Sequence, residues 1–159
     1  MLSVPLIIEK IYKNKVLAKF NSSAITKYLY KIDFFRKKLH KIAGKKLKET
    51  FGGRMRFFGI GGAGLSPIVE RFLLEADFPY LIGYGLTETS PVVSVAPFWG
   101  PNKAGKLGLP LSGTDWAIFD SENFEAGPIC DGTPERNNFG VDHTGEICVA
   151  GPQVMLGYL

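Results

Sequence analysis

The stretch from Phe57 to Pro67, FFGIGGAGLSP, decides how this chain is read. It contains Gly59-x-Gly61-x-x-Gly64 between an apolar run and a helix-like run, the layout of a dinucleotide-binding turn. Met55, Phe57, Phe58 and Ile60 form a strand-like run, Gly61 to Gly64 a turn, and Ser66 with Pro67 an N-cap and first helical position. The helix is expected to reach about Ala76, with Ile68, Phe72 and Ala76 on one buried stripe and Val69 and Leu73 beside it. Asp77-Phe78-Pro79 breaks it, and Tyr80 to Tyr84 reads as a second strand. Strand, helix and strand make a βαβ unit. The expected fold class is therefore α/β, with a parallel sheet and its loops at the carboxyl ends of the strands.

A dinucleotide site also needs the helix to open inside the glycine motif and an acid to close the second strand. Here Ser66-Pro67 starts the helix after Gly64, the second strand ends in Tyr84-Gly85, and Asp77 precedes that strand. The glycines do not read as an NAD cradle. The segment YGLTETSP, Tyr84 to Pro91, carries more information. Loops that follow adjacent parallel strands lie side by side at a ligand crevice. Gly61, Gly62 and Ala63 offer bare backbone to a flat ring, and Tyr84 offers an aromatic face. Thr87 presents a hydroxyl, and Glu88 a hard carboxylate oxygen of the kind that binds Mg²⁺ beside phosphates. These suit a purine, its phosphate and a metal ion. The same residues also read as a strand-end turn in which Thr87 caps something local and Glu88 is solvated.

Toward the N-terminus, Ser3 and Pro5 mark a short helix with Leu6, Ile7, Ile11 and Tyr12 on one face, interrupted at Asn21-Ser22-Ser23. A second helix follows, in which Ile25, Tyr28, Ile32, Phe35, Leu39 and Ile42 recur as a packing stripe with lysines between them. Gly44 weakens it, and Gly52-Gly53 ends it. Beyond Pro91 the pattern is β-rich: Val92 to Val95, Gly105 to Gly108, Trp116 to Phe119 and Glu146 to Val149. Residues 120–144 read as a long surface loop. The expected organisation is a helical basic segment (1–50), a βαβ nucleotide-binding segment (51–97) and a β-rich segment (98–159), all expected to be parts of one larger domain truncated at both ends.

Residues 1–50 carry 13 Lys and Arg against 3 Asp and Glu, and residues 51–159 carry 6 against 12. Lysines interleaved with an apolar row read first as a solvated helix face. The alternatives are peripheral membrane or partner contact through the basic helix 25–48, and, behind these, nucleic acid. No stretch has the length of apolar residues that a membrane span needs, and Met1 to Ile8 lacks a basic leader and cleavage site, so the cytoplasm is the expected compartment. Cys130 and Cys148 form no CxxC pair and are expected to be ordinary thiols.

Four segments in order, GGAGLSP (61–67), GYGLTETSPVVSV (83–95), GKLGLP (105–110) and GEICVAGPQVMLGY (145–158), resemble consecutive signatures of the adenylate-forming superfamily. SVPLIIEKIY (3–12) is similar to a segment of its long-chain fatty-acyl-CoA synthetases. The resemblance implies a fatty acid–CoA ligase using ATP, Mg²⁺ and coenzyme A, with small-molecule substrates and no nucleic acid. It implies that Gly61, Gly62 and Ala63 line adenine, Tyr84 stacks on the ring, and Gly83, Gly85 and Leu86 border the adenine and acyl groups. Thr87 would contact the α-phosphate, Glu88 would hold the metal, and Gly145, Glu146, Gly151, Gly157 and Tyr158 would be mainly structural. Three positions depart from the pattern: Leu6 replaces the usual Arg, Gly64 replaces a common Pro, and no Asn precedes the Tyr-Gly pair. The family's phosphate loop, its ribose-binding Asp and its adenylation lysine are expected before Met1 and after Leu159. The chain alone is therefore expected to be inactive. An acyl carrier protein as acceptor, and a non-catalytic membrane- or partner-binding module, are the alternatives.

Overall fold

The computed structural model describes residues 1–20, 22–96, 104–131 and 144–159, with backbone alone at 24–26. They form two compact units: Met1–Tyr84 with Ala96–Gly108, and Gly85–Val95 with Leu109–Leu159.

In the first unit, β1 (Leu2–Ser3) leads into α1 (Pro5–Ile11). A wider turn of π-helix over Tyr12–Leu17 and α2 (Ala18–Phe20) continue it. Ser3 thus belongs to a strand, and Val4 occupies the cap position. The buried row is Ile8, Tyr12, Val16 and Phe20, whereas Leu6 and Ile7 are exposed, contrary to the expected face. A four-residue spacing drifts about 40° per step on an α-helix of 3.6 residues per turn. The π turn compensates for that drift and keeps the row pointing at the core.

α3 (Ala24–Leu29) and α4 (Asp33–Thr50) replace the single second helix, because Ile32 is extended (φ −92°, ψ 119°). The expected stripe is not the packing face: Tyr28, Ile32, Phe35 and Ile42 are exposed, Leu39 is partly buried, and the side chain of Ile25 lies outside what is described. α4 instead buries His40, Gly44 and Leu47. Gly44 is the seat of the helix on its neighbour, since a Cβ there would stand 2.7 Å from that of Ala76. Gly52 and Gly53, at φ 90° and 71°, stop the chain as expected.

β2 (Phe58–Ile60), α5 (Pro67–Glu75) and β3 (Tyr80–Tyr84) form the predicted βαβ unit, with β2 parallel to both β1 and β3. α5 buries Val69, Phe72 and Leu73 and its C-cap Ala76, at 3, 4 and 7 residues from Val69, while Ile68 is 67% exposed rather than on the stripe. Its buried Glu70 accepts the Gly105 N–H at 3.0 and 3.1 Å, and Tyr80 also hydrogen-bonds Glu70. Burial first, and then Glu70, push the Tyr80 hydroxyl up to about 12.

A polar chain crosses this core. Tyr12 and Tyr30 hydroxyls lie 3.2 Å apart, Tyr30 Oη is 3.0 Å from His40 Nε2, and His40 Nδ1 is 2.8 Å from Glu75. Arg36 donates to both oxygens of Glu75 (2.9 and 3.1 Å) and Arg71 to one (3.0 Å), while Arg36 also pairs with Asp33. Burial lowers the His40 pKa and outweighs the opposing charge of Glu75. A neutral His40 with its proton on Nδ1 satisfies every partner: it donates to Glu75 and accepts from Tyr30. Burial raises the Glu75 carboxyl, but hydrogen bonds from Arg36 and Arg71 overcome it and hold the group at about 2.

In the second unit, β4 (Ser94–Val95) and β5 (Leu109–Pro110) pair antiparallel, so Gly105 to Gly108 is connection rather than strand. β6 (Asp115–Phe119) lies between β7 (Pro128–Cys130) and β8 (Glu146–Ala150), antiparallel to both. β7 falls inside the expected loop 120–144, whose residues 132–143 lie outside the described residues. Cys130 and Cys148 form no disulfide among the described residues and stand on the two strands that flank β6, paired with Ile118 and Ala117.

Both shifted groups give the same sign with acid. His40 has a pKa below its ordinary 6.5, so the unfolded chain binds its proton first and stability falls as pH drops below about 6.5. Glu75 adds a second loss between its ordinary 4.5 and about 2. Urea midpoints measured from pH 8 to pH 3 should decline in that order, and His40→Gln should abolish the first decline. A midpoint flat from pH 7 to pH 5 in the unsubstituted protein would contradict the assignment.

Candidate functional site

Parallel pairing of β2 with β3 sets Ile60 opposite Ile82, so the two strands run out at the same edge of the first unit's sheet. A Cβ on Gly61 would lie 3.4 Å from the Gly83 carbonyl oxygen, so these two residues are neighbours. Gly62 and Ala63 are exposed, and nothing lies within 4 Å of where a Cβ on Gly62 or Gly64 would stand. This is the bare, open backbone that a flat ring requires. Tyr84 ends β3 half-buried. Glu9 of α1 accepts the Ser66 N–H at 2.9 Å and so ties down the far end of the glycine loop. The Ser66 carbonyl receives the Val69 and Glu70 N–H groups at 2.9 Å, whereas its hydroxyl makes no cap.

In the second unit the chain passes through Gly85 and an exposed Leu86 into a 3₁₀ turn, Thr87–Thr89. A Cβ on Gly85 would stand 1.9 Å from the Pro91 carbonyl oxygen, an approach no other residue permits. The buried Thr89 hydroxyl accepts the Leu86 N–H and donates to the Leu86 carbonyl, both at 2.9 Å. Thr89, not Thr87, therefore makes the local cap. Thr87 is exposed, and no side-chain bond among the described residues engages its hydroxyl. Ser90 closes the turn in the left-handed region (φ 52°, ψ 54°).

Glu88 is held from three directions. Its carboxylate accepts its own backbone N–H and the Tyr158 hydroxyl, the latter at 2.8 Å. Its carbonyl accepts the Met155 N–H, also at 2.8 Å. The backbone bond first, and then Tyr158, lower the Glu88 pKa, so the group is anionic at neutral pH. Sequence reasoning placed Thr87 and Glu88 in this turn but overlooked Thr89 and Glu9, and it read Tyr158 as structural. The TxT spacing within the turn was the available signal for Thr89. Nothing local pointed to Tyr158, which lies 70 residues from its partner.

Residues 1–159, the whole chain, match the family described as AMP-binding enzyme. The chain belongs to that family. Among curated relatives, long chain acyl-CoA synthetase 7, peroxisomal, of Arabidopsis thaliana is 34% identical over 98% of this chain and 23% of its own length. Long-chain-fatty-acid–CoA ligase of Escherichia coli O157:H7 is 34% identical over 91% of this chain and 22% of its own. This AMP-binding chain thus spans less than a quarter of the length of these relatives. Among solved structures, apo MatB from Rhodopseudomonas palustris superposes with a TM-score of 0.53 at 30% identity, over 70% of this chain and 20% of that one. An ATP-bound chimera of RpMatB and BxBclM reaches 0.61 over 99% of this chain and 23% of that one, and at 22% identity shares the fold. The α/β class with its parallel strands is that of adenylate-forming enzyme domains, as the motifs implied.

Two glycines of the AMP-binding motifs should respond oppositely to the same added methyl. Gly85→Ala forces Pro91 to move and should cost about 1–3 kcal/mol by overpacking. Gly64→Ala meets open space and should stay within about 0.5 kcal/mol. Denaturant midpoints of the two variants check this, and equal midpoints would refute it.

Proposed function

We propose that the chain is the central segment of an ATP-dependent long-chain fatty acid–CoA ligase. The observation that carries this reading is the turn Thr87–Thr89, where an exposed hydroxyl with no side-chain bond among the described residues stands beside a carboxylate that accepts two donors. The similarity to ligases named for long-chain fatty acids supports that substrate class.

In the proposed reaction an oxygen of the fatty carboxylate attacks the α-phosphorus of ATP. A P–O bond forms to the acyl group and the bond to pyrophosphate breaks. The thiolate of coenzyme A then attacks the acyl carbonyl carbon, and AMP leaves. Gly61, Gly62 and Ala63 take the adenine against backbone, Tyr84 stacks on it, and Gly83, Gly85 and Leu86 border the ring and acyl group. Thr87 orients the α-phosphate through its free hydroxyl. Glu88 suits Mg²⁺, since that ion takes one or two carboxylates and completes its shell with water and substrate phosphates. The ion, when bound, offsets polyphosphate charge as the anionic nucleophile approaches. Neither Thr87 nor Glu88 acts as acid or base. The 159-residue chain alone is proposed to be inactive, having none of the phosphate loop, ribose-binding Asp or adenylation lysine of the family pattern. A carrier protein in place of coenzyme A is the alternative acceptor.

The whole parent protein should catalyse ATP–pyrophosphate exchange only when a long-chain fatty acid is present. Glu88→Ala should lower the rate by about 2.7–4 kcal/mol, taking the loss of one oxyanion donor as the guide. No exchange with fatty acids of any length would overturn the reading.

A second observation bears on location, for which we propose the cytoplasm with peripheral attachment to a bilayer. The side of α4 away from Glu75 exposes Phe34, Phe35 and Ile42 among Lys38, Lys41, Lys45 and Lys46. Apolar tips set among lysines suit the surface of an anionic membrane. Flotation of the parent with phosphatidylglycerol vesicles should be strong at low salt, weak at high salt and absent with phosphatidylcholine. Gln at the four lysines should abolish it, and binding indifferent to salt and to those substitutions would exclude this face.

A further inference from the structure

We infer that Tyr158 is a positioning residue for the metal ion, acting through Glu88, an inference that rests on the proposed role of Glu88. Glu88 sits at the solvent edge of a three-residue turn, where a side chain with three rotatable bonds samples many rotamers. Its own N–H accounts for one restraint, and the Tyr158 hydroxyl at 2.8 Å for the other. The tyrosine comes from a segment that is itself anchored. Gln153 Nε2 donates to Thr114 Oγ1 at 2.7 Å, the Val154 N–H to the Gly151 carbonyl at 3.1 Å, and the Met155 N–H to the Glu88 carbonyl at 2.8 Å. Gly157 then turns the chain at φ 144°, which L side chains rarely adopt, immediately before Tyr158. The Gly157-Tyr158 pair therefore delivers a hydroxyl to the carboxylate from a fixed direction.

Burial gives no competing account of Tyr158, a residue 75% exposed. The hydroxyl is what its placement exploits. Mg²⁺ gives up its water reluctantly and tolerates little distortion of its octahedron, so one carboxylate among mobile phosphates is useful in proportion to how well it is held. Hydrogen-bond partners that orient metal-ligating groups commonly contribute 10–100-fold to metal affinity. An exposed bond belongs at the lower end, and about 10-fold is expected here.

The test uses the full-length parent, a non-hydrolysable ATP analogue and Mn²⁺ as the probe ion, with free Mn²⁺ followed by electron paramagnetic resonance. Tyr158→Phe should weaken Mn²⁺ binding about 10-fold while leaving thermal stability and metal-free binding of the analogue unchanged. Glu88→Gln should weaken it at least as much. Joining the two changes should add nothing to Glu88→Gln alone, because Tyr158 has no carboxylate left to hold. If Glu88→Gln leaves Mn²⁺ binding intact, the metal role of Glu88 falls and this inference with it. If Glu88→Gln weakens binding but Tyr158→Phe does not, or if the two losses add, Glu88 keeps its role and the positioning by Tyr158 is wrong.

Discussion

A carboxylate only 10% exposed, at the last residue of α5, holds the first unit together. Glu75 is bound by Arg36 and His40 of α4 and by Arg71 one turn back on its own helix, and His40 passes the connection on through Tyr30 to Tyr12. An unpaired acid here would be neutral or would disrupt the core; with two guanidinium partners it stays ionised at neutral pH. The direction of every bond follows from that charge. Glu75 can only accept, so His40 must donate from Nδ1, and Nε2 is left to accept from Tyr30. One charge thus fixes a tautomer and joins three helical segments. Phe72 packs on both Tyr12 and His40, with centroids 5.0 and 5.1 Å apart, and seals the chain from water.

Holding α4 and α1 on α5 has its consequence at the other end of that helix. α5 begins at Pro67, directly after the glycine loop, so its position sets where the loop starts and where β3 can pair with β2. Glu9, on α1 three residues before the Tyr12 that ends the polar chain, fastens Ser66 at that junction. The open backbone at Gly62 and Ala63 is therefore suspended between fixed points. Bare backbone is useful to a ligand only when its conformational freedom has already been removed by neighbours.

The βαβ unit was legible because it rests on local signals: an apolar run, a glycine turn, Pro at the first helical position and a breaker before the second strand. The faces of the helices were not. α4 was assigned by its apolar row, but the stripe it buries contains His40, Gly44 and the largely shielded Arg36, residues that belong inside only because Glu75 and Ala76 lie opposite. Hydrophobic periodicity cannot register a buried ion pair or a glycine used for close approach. The same blindness missed the row at Ile8, Tyr12, Val16 and Phe20, whose alignment depends on a π turn with no sequence marker. β7 was hidden for a different reason. Three residues beside Gly127 and Pro128 look like loop until β6 supplies the partner edge.

At the proposed catalytic turn, a sequence holds residue types but not their division of labour. Two threonines flank Glu88, and either could have been the cap. Thr89 is buried and bonds Leu86 with both donor and acceptor, and among the described residues the exposed Thr87 hydroxyl is engaged by no side-chain bond. The two roles are mutually exclusive in a turn this short: a hydroxyl folded back on its own backbone cannot also meet a phosphate. Gly85 matters for the same reason, since only its missing side chain lets Pro91 fold close enough for the turn to tighten and bury Thr89. The chemistry proposed for Thr87 and Glu88 thus depends on neighbours that touch no substrate. Thr89 frees one of the pair, and Tyr158 steadies the other.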